Sequence, residues 1–403
     1  MTAYTGPIFD GDTHVCEIAD SWSRYLPKQY EKDWSYRWKT GDDGEFALYV
    51  GNRKVEVSAG YYTEDGRCPP PGQLHEWLRA MKSGKENVDM RVPMTTDMTD
   101  REARLRKLDE FNVDGCVMFC GSMVSTLSYL DEVEPAKAVL HAYNRWMAED
   151  WGFAHHNRIF GVPILTLADP EAAVKEAEWV ARLGARAIIM PMGPFNGKSP
   201  AHPDFDRFWH VINEAKIGVT YHVSEAIYMK DHMALWGEPM QSSRMRQSAF
   251  MWLHGYGERP VMETLSSFVF HNFFARFPNI KLMSAENGCE WVPNLLVKMD
   301  KCRGMAKLGY WPCGQLKERP SEIFLKNIYV VAYPEDDIKS VAEQTGSVDF
   351  IVMGSDYPHA EGVPKPIDFA DEACKGLSPA QTTKVMHGNG WNFINGTTNP
   401  GTR

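Results

Sequence analysis

Between residues 100 and 353 the chain repeats one unit: a stretch of helical period, then a short apolar run. Such runs stand at 113–119, 159–165, 185–190, 217–222, 280–286, 328–332 and 348–353. They are too short for buried helices and lack the alternation of half-wet strands. They therefore read as strands covered on both faces, as in a parallel sheet. Helical segments at 101–111, 134–151, 170–183, 204–215 and 335–344 lie between them, with one more ending near 277 and one starting at 291. With an opening strand at 7–14 the count is eight, which predicts the α/β class and a closed (β/α)8 barrel. An open doubly wound sheet is the alternative, but no glycine-rich phosphate loop follows a strand.

Two segments interrupt the repeat. Residues 32–96 hold hairpin-like runs at 34–38, 46–50 and 54–57 separated by Gly/Asn/Asp turns, then a Pro- and Gly-rich loop. Residues 224–259 form a long connection after strand five, rich in Met, Trp and His and carrying Lys230, Arg244 and Arg246. The first is expected to be an insertion after strand one, the second a lid. One of its basic residues could hold a substrate carboxylate; a solvated loop or a subunit contact is the competing reading. No linker separates either from the barrel, so residues 1–403 are expected to form a single domain.

A net charge of −10 argues against a nucleic-acid or acidic-membrane partner. No apolar run reaches the roughly 20 residues of a membrane span. The 8 cysteines show no C-x-x-C spacing and no secretory leader precedes them, so reduced, mostly buried thiols and a cytoplasmic location are expected.

Chemistry collects at the carboxyl ends of barrel strands. Strand one ends with Asp10, Asp12 and His14 on one face, strand five with His222, strand six with Glu286, and strand eight with Asp356 followed by His359. Glu17 follows three positions after His14. Read singly, each has a plain alternative: Asp356 a helix cap, His222 a core histidine, Glu17 a helix-start residue. Together they place several carboxylates and imidazoles at one mouth, with no Lys or Arg at the strand ends to neutralise them. Unpaired buried carboxylates cost several kcal/mol each, so a divalent ion is the natural compensation, and this oxygen-rich set suits Mn, Fe or Zn.

The pieces Asp12-x-His14-x-x-Glu17, His222, Ala285-Glu286-Asn287-Gly288 with Trp291-Val292-Pro293, Gly354-Ser355-Asp356-Tyr357-Pro358-His359 and His387-Gly388-Asn389-Gly390 resemble the amidohydrolase superfamily. The branch is the amidohydrolase-related one with the aminocarboxymuconate-semialdehyde and resorcylate decarboxylases. The resemblance runs from first strand to last helix, outside the two insertions. It implies that Asp12, His14, His222 and Asp356 hold a catalytic divalent ion.

The departures point elsewhere. The usual first motif is His-x-His or Glu-x-His, where this chain has Asp12 and His14. The decarboxylases carry an acid/base His on strand six, where this chain has Glu286. Strand four offers no Lys to carboxylate as a metal bridge. Losing that imidazole removes a proton donor, while Glu286 adds an oxygen able to bridge two ions. The expectation is a metal centre of Asp12, His14, Glu17, His222, Glu286 and Asp356, with Glu286, Asp356 and His359 in catalysis. His359 is expected either as a ligand or as a partner orienting Asp356.

Some relatives on this branch are non-heme dinuclear hydroxylases. The favoured expectation is therefore O2-dependent hydroxylation of a small organic substrate at a dinuclear Fe or Mn/Fe centre. A mononuclear Zn or Mn hydrolase or non-oxidative decarboxylase is the alternative. A third reading is a metal-bearing structural subunit paired with an active paralogue, and a homo-oligomer or such a hetero-oligomer is expected.

Overall fold

The computed structural model describes residues 4–17, 20–55, 58–59, 61–82, 90–122, 127, 129–224, 226–238, 248–255 and 258–396. Eight strands form the barrel in chain order: β1 (Phe9–His14), β2 (Gly115–Phe119), β3 (Ile159–Gly161), β4 (Ala187–Ile189), β5 (Gly218–His222), β6 (Leu282–Ala285), β7 (Ile328–Val331) and β8 (Ile351–Val352). Parallel ladders join β1 to β2 to β3, and run from β4 through to β8.

Two seams close the ring. At the first, Leu165 N donates to Ile189 O and Ile189 N to Pro163 O, both at 3.0 Å. At the second, Gly11 N donates to Met353 O and Asp356 N to Asp12 O, both at 2.9 Å, and His14 N to Tyr357 O at 2.8 Å. Gly354 makes this seam feasible: a Cβ there would lie 2.7 Å from that of Asp12. The main chains carrying Asp12, His14 and Asp356 are thus bonded directly to one another.

Only Tyr329 among the barrel-strand residues is not fully buried, which is why the strands show no alternation in sequence. β3 is shorter than the run at 159–165 because Pro163 has no N–H for a ladder. Helices begin where the sequence supplies caps: Asp100 Oδ1 accepts from Ala103 N at 2.7 Å ahead of Arg101–Glu110, and Asp169 Oδ1 from Ala172 N at 3.1 Å ahead of Pro170–Arg182. Each such cap stabilises its helix by about 1 kcal/mol.

Within 32–96, strands Tyr36–Thr40, Phe46–Val50 and Arg53–Lys54 form an antiparallel sheet, and Arg67–Cys68 pairs with Val92–Pro93. Residues 56–57, expected in the hairpin, lie outside the described residues. This segment is tied to the barrel mouth, where Gly72 N donates to His359 O at 3.0 Å and Leu74 N to Ala360 O at 2.8 Å. Within 224–259, Met229–Ala234 and Ala249–Gly255 are helical and Lys230 is exposed. Arg244 and Arg246 lie outside the described residues. All eight cysteines are free and six are buried. Among the described residues no helix is long and apolar enough to cross a membrane.

Candidate metal centre

β1 carries Asp12 and His14 to the mouth and β5 carries His222. Glu286 and Asp356 sit one and four residues beyond β6 and β8. Both adopt left-handed backbone, at φ 51° and 55°. Non-glycine residues rarely do so, and here the turn swings each carboxylate back over the barrel axis. Tyr333 holds one turn by donating to Glu286 O at 2.8 Å. The other is held by the seam bond from Asp356 N.

The side chains converge. His14 Nε2 lies 3.3 Å from Asp12 Oδ1 and 3.2 Å from Asp356 Oδ1. His222 Nε2 lies 3.5 Å from Asp12 Oδ1 and 3.3 Å from Glu286 Oε2. The two Nε2 atoms face each other at 3.2 Å. Donor atoms of Asp12, His14, His222 and Glu286 all lie within 4.8 Å of one another. So do those of His14, Asp356 and His359, and of Glu286, Asp356 and Glu361.

The imidazole tautomers are fixed by neighbours that can only accept. His14 Nδ1 donates to Cys120 O at 2.7 Å and His222 Nδ1 to Val223 O at 3.0 Å. Each ring therefore aims Nε2 at the cluster, as metal-bound histidines do. Asp12 Oδ1 and Asp356 Oδ2 are buried without a hydrogen-bond partner. Buried carboxylate oxygens are ordinarily satisfied, so these two oxygens with the opposed Nε2 atoms form a cradle that fits a divalent cation.

Without a cation, electrostatics shift His14, Glu286 and Asp12 from their ordinary values. Burial opposes charge on His14, but Asp12 and Asp356 hold its pKa well above the ordinary imidazole value. Burial, then the charges of Asp356, Glu361 and Asp12, push Glu286 well above the usual carboxylate range. Despite burial, His222 and His14 pull Asp12 below it. Crowded carboxylates thus share scarce protons, the condition a metal relieves.

Two residues singled out in the sequence, Asp10 and Glu17, take other places. Asp10 lies deeper, where its carboxylate accepts from Ser355 N at 2.9 Å and Ser355 Oγ at 2.5 Å; burial raises its pKa to about 7. Glu17 is not brought to the cluster. It accepts from Gly121 N at 2.8 Å, Ser122 N at 3.1 Å and Tyr143 OH at 3.4 Å, and so anchors the loop whose Cys120 carbonyl orients His14. A Cβ at Gly121 would sit 2.4 Å from Val15 O, so only glycine fits that clasp. His359 stays with the cluster: Nδ1 lies 2.9 Å from Asp356 Oδ1, its ring stacks on His14 at 4.0 Å, and it shares a donor group with both, a placement that suits either ligation or orientation of Asp356.

Sequence reasoning missed Arg104, Glu361 and Tyr333. The mouth does have a cation beneath it. Arg104, 1% exposed, donates to His14 O at 2.9 Å and Asp97 O at 2.8 Å. Its guanidinium lies 5.1 Å from the Tyr357 ring centroid, while Tyr357 OH donates to Asp97 Oδ2 at 2.7 Å. Its charge is thus spent on main chain, ring and Asp97, leaving the site carboxylates uncompensated. Arg104 sits on a highly charged helix, Arg101–Glu110, where nothing in the sequence sets it apart from its charged neighbours. Glu361 had one signal, its place five residues beyond Asp356 in the same loop.

The amidohydrolase family model matches residues 74–390. The chain belongs to the amidohydrolase family. No curated protein matches it. Among solved structures, an amidohydrolase from Mycobacterium avium subsp. paratuberculosis K-10 is 26% identical, with a TM-score of 0.82 over 99% of this chain and 100% of its own. The 5-carboxyvanillate decarboxylase of Sphingomonas paucimobilis is 18% identical, with a TM-score of 0.56 over 81% of this chain and 97% of its own. A dihydroxybenzoic acid decarboxylase from Polaromonas sp. JS666, solved with manganese and 2-nitroresorcinol, is 17% identical, with a TM-score of 0.56 over 74% and 87%. At such identity the two decarboxylases share the fold. This amidohydrolase is a metal-dependent enzyme, and Asp12, His14, His222 and Glu286 form a donor group that could hold a metal ion, with Asp356 beside His14.

Proposed function

We propose that this amidohydrolase hydroxylates a small organic substrate with O2 at a carboxylate-bridged dinuclear centre of Fe or Mn/Fe. The supporting observation is a charge count. Asp12, Glu286, Asp356 and Glu361 bring four carboxylates to two overlapping donor groups. One divalent ion leaves about two negative charges among these four, of which Glu361 is exposed, whereas two ions balance them. Oxygen-rich sets of carboxylates with a few imidazoles are those of oxygen-activating dinuclear centres.

Bound there, redox-active ions would supply the electron transfer to O2. The chain's own residues do the rest. Asp12, His14 and His222 would hold one ion and Asp356 the other, with Glu286 a member of both donor groups. His359 sits beside Asp356 at the mouth, where it can give or take a proton as the C–H bond is oxidised. One oxygen atom enters the substrate, the other leaves as water, and an external two-electron reductant completes the balance.

A mononuclear manganese or zinc reading, decarboxylase or hydrolase, is favoured by the manganese-bound decarboxylase of like fold. The test is turnover under controlled oxygen. Substrate-linked O2 uptake supports hydroxylation; equal turnover without oxygen selects the alternative.

A further inference from the structure

The donors differ sharply in their access to water. Asp12, His14, His222 and Asp356 are buried, Glu286 is half-buried, and Glu361 is exposed. Asp12, His14, His222 and Glu286 form a group that needs no other residue. The second group, Glu286, Asp356 and Glu361, opens outward on the loop that follows β8. Asp356 joins the two: Oδ1 faces His14 Nε2 at 3.2 Å, while Oδ2 is buried without a partner on a side chain only 9% exposed. That orphaned oxygen is an independent sign that something beyond a solvated acidic cluster belongs there.

We infer that the two cations are held unequally, and that Glu361 is the ligand closing an outer, exchangeable ion at the mouth. This rests on the dinuclear reading. Glu361 is exposed and hydrated, so its bond to an ion exchanges with water more readily than those of the buried donors. The inner ion is enclosed by protein on three strands. The outer ion is the one an incoming substrate oxygen meets, because Glu361 is the exposed member of the described donor groups at the mouth. The insertion at 32–96 contributes here, since Gly72 and Leu74 bond the main chain of His359 and Ala360 just ahead of Glu361.

The test is Mn2+ titration of metal-free protein, read by metal analysis and by electron paramagnetic resonance, for wild type and Glu361→Gln. Wild type is expected to bind two ions in two steps. Glu361→Gln is expected to keep the tight step while the weak one is lost or weakened by at least about tenfold. Because Glu361 is exposed, the variant's melting curve without metal should match wild type. Two ions at unchanged affinity in Glu361→Gln would overturn the inference while leaving a dinuclear centre intact. Loss of both ions would overturn the unequal holding. A wild type that binds one ion would overturn the dinuclear reading itself, and the inference with it.

Discussion

His14 and His222 meet Nε2 to Nε2 at 3.2 Å, each with its Nδ1 committed to a main-chain carbonyl. Neither ring can turn its lone pair elsewhere without giving up a buried hydrogen bond. The gap between them, flanked by Asp12 and Asp356, is where the fold concentrates unsatisfied acceptors. A metal is therefore integral to this mouth.

Removing ligands should show it. Asp356→Ala and His222→Ala should each lose most bound metal while the barrel stays folded, checked by metal analysis alongside circular dichroism. Full metal occupancy in both variants would contradict the site assignment.

Glu17 acts at one remove. Glu17→Gln leaves every proposed ligand in place but puts an amide where three donors converge, loosening the Cys120 carbonyl that holds His14. Metal affinity should fall by about tenfold or more, the usual effect of disturbing a residue behind a ligand. Loss of metal affinity greater than that of His14→Ala would mean that Glu17 ligates directly.

Glu286→His separates one ion from two. A neutral imidazole has one free lone pair, so it can serve a single ion but cannot bridge a pair as a carboxylate does. The variant should hold one ion per chain and lose the spectroscopic signature of coupled metals. Two coupled ions in the variant would show that Glu286 is no bridge.

Arg104 makes a prediction about stability. Arg104→Ala leaves the carbonyls of His14 and Asp97 without their donor and the Asp97 carboxylate without its cation. Breaking a buried pair in this way costs about 3–5 kcal/mol, measurable by denaturant unfolding. A change below about 1 kcal/mol would mean that water replaces the guanidinium.

The barrel was legible because parallel strands buried on both faces leave unbroken apolar runs, and because caps such as Asp100 and Asp169 mark helix starts. The convergence of the candidate donors was legible because strand ends in such a barrel share one mouth, which joins Asp12 to Asp356 across 344 residues. Side-chain direction was not. Glu17 has the composition of a ligand, and only the loop at 121–122 turns it aside. Arg104 gave no signal of its own, since nothing local reports that its helix face is packed under His14. Glu361 lies in a loop, where no period says which way a carboxylate points.

The most direct measurement is the metal count of protein produced without added zinc, by elemental analysis together with electron paramagnetic resonance. Two redox-active ions per chain, magnetically coupled, are expected. A single zinc ion per chain in fully active protein would contradict the dinuclear account.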